Sequence, residues 1–178
     1  MKTTKTWRSW PLFLVAALVI ALDQWTKFLV RSIIPANTSR DPITGFGKYL
    51  TFTHVRNTGA AFGMFRDTNT LFIILPILVA GAIIVYSVRQ GRQPWPLVLA
   101  FGMQVGGALG NVVDRIVIGG VTDFIDVHWW PIFNVADSSV VIGTAVLAIV
   151  ALFVDDAFPE PEGEEKEPGD LEPDGESV

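Results

Sequence analysis

Four long apolar stretches dominate the polarity pattern of the chain, at about residues 11–30, 70–88, 95–118 and 136–154. Each is about 19–24 residues long, and a helix needs about 20 to cross the hydrocarbon core of a bilayer. None carries a polar face over most of its length, which argues against the amphipathic helices of a soluble bundle. The pattern predicts four transmembrane helices. Lys2, Lys5 and Arg8 precede the first stretch like the basic region of a signal peptide. No small-residue cleavage pattern follows Leu22, however, so the segment reads as a retained span. Trp7, Trp10, Trp95, Trp129 and Trp130 sit near predicted span ends, as an interfacial aromatic belt requires.

Two connections break the apolar pattern with shorter periods. The first contains the β-prone run 49–56 (YLTFTHVR), then Asn57-Thr-Gly59-Ala-Ala-Phe-Gly63, rich in small residues that allow close backbone approach. An ordinary interfacial hairpin would satisfy that pattern too. The third connection turns at Gly119-Gly120 and continues as the strand-like run Val121-Thr-Asp123-Phe-Ile-Asp126-Val127. With four spans, the first and third connections share one side of the membrane. Lys and Arg divide five against five between the two sides, so the first helix decides the orientation and places the N-terminus in the cytoplasm.

Charge separates the chain into two regions. The net charge of −5 over 178 residues conceals a tail from Asp155 with eleven acids and one base. The preceding body has twelve bases and seven acids, all seven of them Asp. We therefore expect a transmembrane domain over 1–154 and a disordered acidic tail over 155–178, whose four prolines, three glycines and single aromatic cannot build a core. The absence of cysteine excludes a disulfide scaffold, a thiolate metal site and a cysteine nucleophile. Two histidines argue against a histidine metal cluster, and the acidic total argues against nucleic acid.

Ionisable residues inside spans are costly and mark function. Asp23 and Lys27 lie four apart on one face of the first span, either as a packing ion pair or as part of a site. In the third span Gly102, Gly106 and Gly110 form a small-residue stripe for close helix approach, within or between chains. The stripe leads into Asn111, Asp114 and Arg115. Asn134 is placed to cap the fourth span, with Asp137 in its first turn, where the helix dipole favours a carboxylate. Asp23, Asn57, Asn111, Asp114, Asp123, Asn134 and Asp137 thus gather near one membrane face. Paired carboxylates and amides at a wet boundary suit aspartic peptide hydrolysis, in which one carboxylate activates water and its protonated partner polarises the carbonyl. A proton-coupled membrane transporter subunit is the alternative, since intramembrane Asp residues also relay protons.

Five motifs in order separate the two: Asp23-Gln-Trp-Thr-Lys27, Asn57-Thr-Gly59-Ala-Ala-Phe62, Gly107-Ala-Leu-Gly-Asn111-Val-Val-Asp114-Arg115, Val121-Thr-Asp123-Phe124 and Phe133-Asn134-Val-Ala136-Asp137. Together they resemble bacterial lipoprotein signal peptidase, the type II signal peptidase, over about residues 21–143. The resemblance implies an all-α membrane protein of four transmembrane helices, with a small extracytoplasmic β-cradle and a short surface helix supplied by loop 1. It implies an inner-membrane aspartic endopeptidase that cuts prolipoproteins before a cysteine bearing diacylglyceryl, with the active site at the extracytoplasmic face. Its partners would be that substrate and membrane lipid; no metal or organic cofactor is implied, and we expect a monomer. Carried over by motif, the dyad is Asp123 and Asp137. Asp114 with Asp137 is the competing choice, and Asp126 a third candidate outside the motif. Asp114 has Arg115 beside it and is expected to stay ionised, whereas the apolar neighbours of Asp123 should raise its pKa. Asn57, Gly59, Asn111, Asp114, Arg115, Asn134 and Ala136 would position the dyad or substrate, with Asp23 and Lys27 bracing them. Asp137 follows Asp123 by fourteen positions, a shorter stretch than relatives often carry, which leaves the rim near Trp129 and Trp130 open.

Overall fold

A computed structural model describes residues 6–43, 45, 47–59 and 68–153. The acidic tail 155–178, Lys2 and Lys5, and residues 60–62 of the second motif lie outside the described residues.

Each apolar stretch forms a helix: α1 (Trp10–Ile33), α2 (Thr68–Gln90), α3 (Trp95–Ile118) and α4 (Val135–Phe153). All four are long and apolar enough to cross a membrane. Prolines stand in the first turns of α1 and α3, where a missing N–H costs nothing. Gly119 ends α3 in the left-handed region at φ 69°, a conformation that suits glycine. α1 runs a turn beyond the expected boundary, because Ile34 and Val30 pack with Phe124 and Arg31 finds polar partners in the third connection.

The central helix is α3, which packs against the other three. Its glycine stripe faces α1. A Cβ at Gly106 would lie 2.7 Å from Val19 Cβ and 2.8 Å from the Ala16 carbonyl oxygen, and one at Gly102 2.6 Å from Val15 Cβ. The stripe therefore serves contact within the chain. Leu12, Ala16, Leu97, Val98, Phe101, Val105 and Val150 form the buried core toward the end where α1 and α3 begin. Large apolar side chains such as Leu14, Leu18, Leu78 and Leu152 are exposed, as lipid-facing positions should be.

Two small sheets mark opposite ends. Two-residue strands β1 (Thr6–Trp7) and β4 (Gln93–Pro94) pair antiparallel at the end where α1 and α3 start. At the other end β2 (Ser39–Arg40), β3 (Thr51–Asn57) and β5 (Val121–Asp126) form an antiparallel sheet in the order β2-β3-β5. The sheet is not built from loop 1 alone, because its third strand comes from the third connection. Among the described residues the first connection contains strands and no helix. Phe133 bridges back to Ile125, with N–H···O distances of 2.8 and 3.1 Å, which brings Asn134 beside β5.

Candidate active site

The polar residues of three helix ends and two strands converge between α1, α3, α4 and the sheet. In β5, successive side chains point to opposite faces. Phe124 packs on Val30 and Ile34, while Asp123 turns toward Asn57 and Asn134. Val55 is the register partner of Asp123, and Asn57 that of Val121, so Asn57 is a diagonal neighbour of Asp123. Its side-chain amide donates to Asp123 Oδ2 at 3.0 Å.

Asn134 is the N-cap of α4. Its Oδ1 accepts from the Asp137 N–H at 2.9 Å, and its own N–H donates to Asp137 Oδ2 at 3.3 Å, a reciprocal capping pair. Its Nδ2 donates to Asp123 Oδ1 at 2.7 Å and to Asn111 Oδ1 at 3.1 Å. Asn111 Nδ2 in turn donates to Asp137 Oδ1 at 2.8 Å. Asp137 therefore both caps its helix and belongs to the carboxylate pair. Asp123 is almost fully buried, whereas Asp137 and Asn111 are half-buried and Asn57 is exposed, so the pair opens to one side. Burial pushes Asp123 from 3.8 up to about 6; neighbouring Asp137 adds to the rise, while Asn57, Asn134 and Lys27 oppose it.

Beneath the pair lies a fully buried ionic brace. Lys27 Nζ is 2.8 Å from Asp23 Oδ2, 3.5 Å from Asp114 Oδ2 and 2.9 Å from Asn111 Oδ1, which occupies its three donors. Asp23 Oδ1 accepts the Ala136 N–H at 2.9 Å and ties α1 to the start of α4. Gly110 makes room for this carboxylate: a Cβ there would lie 2.8 Å from Asp23 Oδ2.

Asp114 is held differently from the expectation. Its ion partners are Lys27 and Arg31 at 3.5 and 3.3 Å, not Arg115, and its Oδ2 accepts the Thr122 N–H at 2.8 Å. Arg115 donates instead to the Asn111 carbonyl at 3.4 Å and stacks over Phe72 at 5.4 Å. Gly59 donates its N–H to Asn57 Oδ1 at 3.0 Å, with φ 73° and the Phe72 ring where a Cβ would stand. Asp126 lies apart from the network, held by Thr53 and His128. Trp129 and Trp130 are exposed at the rim.

Three participants are not among the expected site residues: Gln24 and Thr122, which lie inside the quoted motifs, and Arg31, which lies outside them. Gln24 donates to Asp23, the Gly110 carbonyl and Asp114, and Arg31 reaches both Asp114 and Thr122 Oγ1. The signal was present, since residues 24, 27 and 31 share a helix face. Among the described residues, no group of three His, Asp or Glu side chains is placed to hold a metal ion.

Fold and site define a multi-pass membrane enzyme with a carboxylate–amide centre at one end of its helices. Residues 15–153 match the family described as Signal peptidase (SPase) II. A lipoprotein signal peptidase of Syntrophomonas wolfei is 43% identical over 145 residues, covering 82% of this chain and 93% of its own. One from Moorella thermoacetica is 39% identical, covering 77% and 89%. A solved bacterial membrane enzyme superposes with a TM-score of 0.75 at 32% identity, covering 86% of this chain and 99% of its own. The chain belongs to the lipoprotein signal peptidase family, proteases that cleave signal peptides from prolipoproteins, and is a multi-pass protein of the bacterial inner membrane. Nothing in these relatives supports the transporter alternative.

Proposed function

We propose that the chain is an aspartic endopeptidase whose dyad is Asp123 and Asp137, and that it cuts prolipoproteins on the N-terminal side of a diacylglyceryl-modified cysteine. The observation that carries this reading is the shared bracket: Asn134 binds Asp123 through its side chain and Asp137 through its backbone and capping oxygen. Two carboxyls so coupled hold one proton between them. The raised pKa of Asp123 makes it the group that retains that proton. Asp137, more open to solvent, takes a proton from water as the water oxygen attacks the scissile carbonyl carbon. Asp123 gives its proton to the carbonyl oxygen, forming a tetrahedral gem-diol. The proton then on Asp137 passes to the departing amine as the C–N bond breaks, and Asp123 recovers its proton from the diol.

Asp114 is a poorer partner, since two cations and a backbone N–H already occupy it. In our reading its role is to set β5 against α3, with Asn111, Arg115 and Gly59 arranging the approach of substrate. We place both termini in the cytoplasm and the dyad at the extracytoplasmic face. The chain acts as a monomer, with lipid reaching it laterally. The catalytic domain is 1–154; the family match ends at residue 153, which leaves the acidic tail outside it.

A gel-shift assay on prolipoprotein with and without diacylglyceryl tests the specificity. The modified substrate should lose its signal peptide, the product starting at the lipidated cysteine. Equal cleavage of both forms would overturn the proposed specificity.

A further inference from the structure

On the face of the β2-β3-β5 sheet opposite the dyad lies a cavity of about 410 Å³. Its floor is α1 from Thr26 and Leu29 upward, and its wall is the edge-to-face pair Phe52 and Phe124, ring centroids 6.1 Å apart. Arg40 and Asp41 stand at its mouth. Arg40 is the register partner of Phe52, so the charge rises from the apolar wall on the same sheet face. The cavity is thus apolar along a membrane-spanning helix and charged where that helix leaves the bilayer. An amphiphile with one acyl chain against α1 matches this polarity.

The rim decides which amphiphile. Arg40 and Asp41 are adjacent and exposed, and neither forms an ion pair among the described residues. Together they offer a guanidinium to a phosphate and a carboxylate to an ammonium. An uncharged diacylglyceryl group has no use for either, and the sheet separates this cavity from Asp123. We propose that the cavity binds a zwitterionic bilayer phospholipid with an amine headgroup, as a site separate from that for the substrate.

The test uses the full chain reconstituted in nanodiscs of mixed phosphatidylethanolamine and phosphatidylglycerol, then released into mild detergent for native mass spectrometry. The unmodified chain should retain one phosphatidylethanolamine in preference to phosphatidylglycerol. Leu29→Trp, which fills the cavity, should lower that retention about tenfold. Arg40→Ala, an exposed change that leaves the core untouched, should abolish the headgroup preference while prolipoprotein cleavage continues. Equal retention in all three proteins would overturn the proposal, as would a preference for phosphatidylglycerol. So would a Leu29→Trp protein that keeps its lipid but loses cleavage of the diacylglyceryl substrate, which would assign the cavity to the substrate.

Discussion

The side-chain amide of Asn134 donates to Asp123 Oδ1 at 2.7 Å from a helix cap whose other arm holds the Asp137 N–H. One residue therefore fixes the separation of a strand carboxylate from a helix carboxylate. Its cap and bridge functions can be separated. Asn134→Ser keeps an oxygen for the cap and loses the amide for Asp123. We expect cleavage to fall about 10²-fold, the scale of losing one positioned polar group. Thermal stability should fall by less than the ~1 kcal/mol of a lost cap. Asn134→Ala should lose both. Rates and melting curves on the two variants check this, and equal stability loss in both would refute the division.

The ionic brace should matter to folding more than to chemistry. Lys27→Met leaves Asp23 and Asp114 without their shared buried cation, at a cost of about 3–5 kcal/mol. Lys27→Met combined with Asp23→Asn should recover part of that loss. Denaturation in detergent measures both, and additive losses would contradict a coupled brace.

Gly110→Ala places a methyl 2.8 Å from Asp23 Oδ2. The helices must shift to admit it, which costs about 1–3 kcal/mol. Gly81→Ala, on α2 with open space at the same atom, is the control and should leave the melting temperature nearly unchanged.

The pH dependence follows from Asp123. Between pH 3.8 and about 6 the folded state holds a proton that the unfolded state releases, so the Asp123 contribution to stability declines as pH rises through that window. The full decline is roughly 3 kcal/mol for a group only 4% exposed. Asp123→Asn should abolish it, so the variant gains on the parent as pH rises from 3.8 to 6. Melting curves at pH 4 and pH 8 check the sign. Cleavage should also fall as pH rises past about 6, where the shared proton is lost.

The four spans were legible because a bilayer imposes length and apolarity on each helix independently of its neighbours. The site was legible where motifs fall at helix ends: Asn134 reads as a cap from its position alone. Its hold on Asp123 does not, because that contact depends on Phe133 folding back onto Ile125. Assigning Asp114 to Arg115 failed for a related reason. Adjacent helical residues do not face each other, and the cations that reach Asp114 are Lys27 and Arg31 on α1, the latter eighty-three positions away in sequence. The glycine stripe was visible as a stripe, but only packing showed that α1 covers it.

The central claim is that Asp123 and Asp137, and not Asp114, perform the chemistry. Cleavage of a diacylglyceryl-modified prolipoprotein by Asp123→Asn, Asp137→Asn and Asp114→Asn, each shown to be folded and inserted in the membrane, tests it directly. The account predicts no detectable product from the first two and residual cleavage from the third, in proportion to its lost stability. Full activity in Asp123→Asn or Asp137→Asn would contradict it.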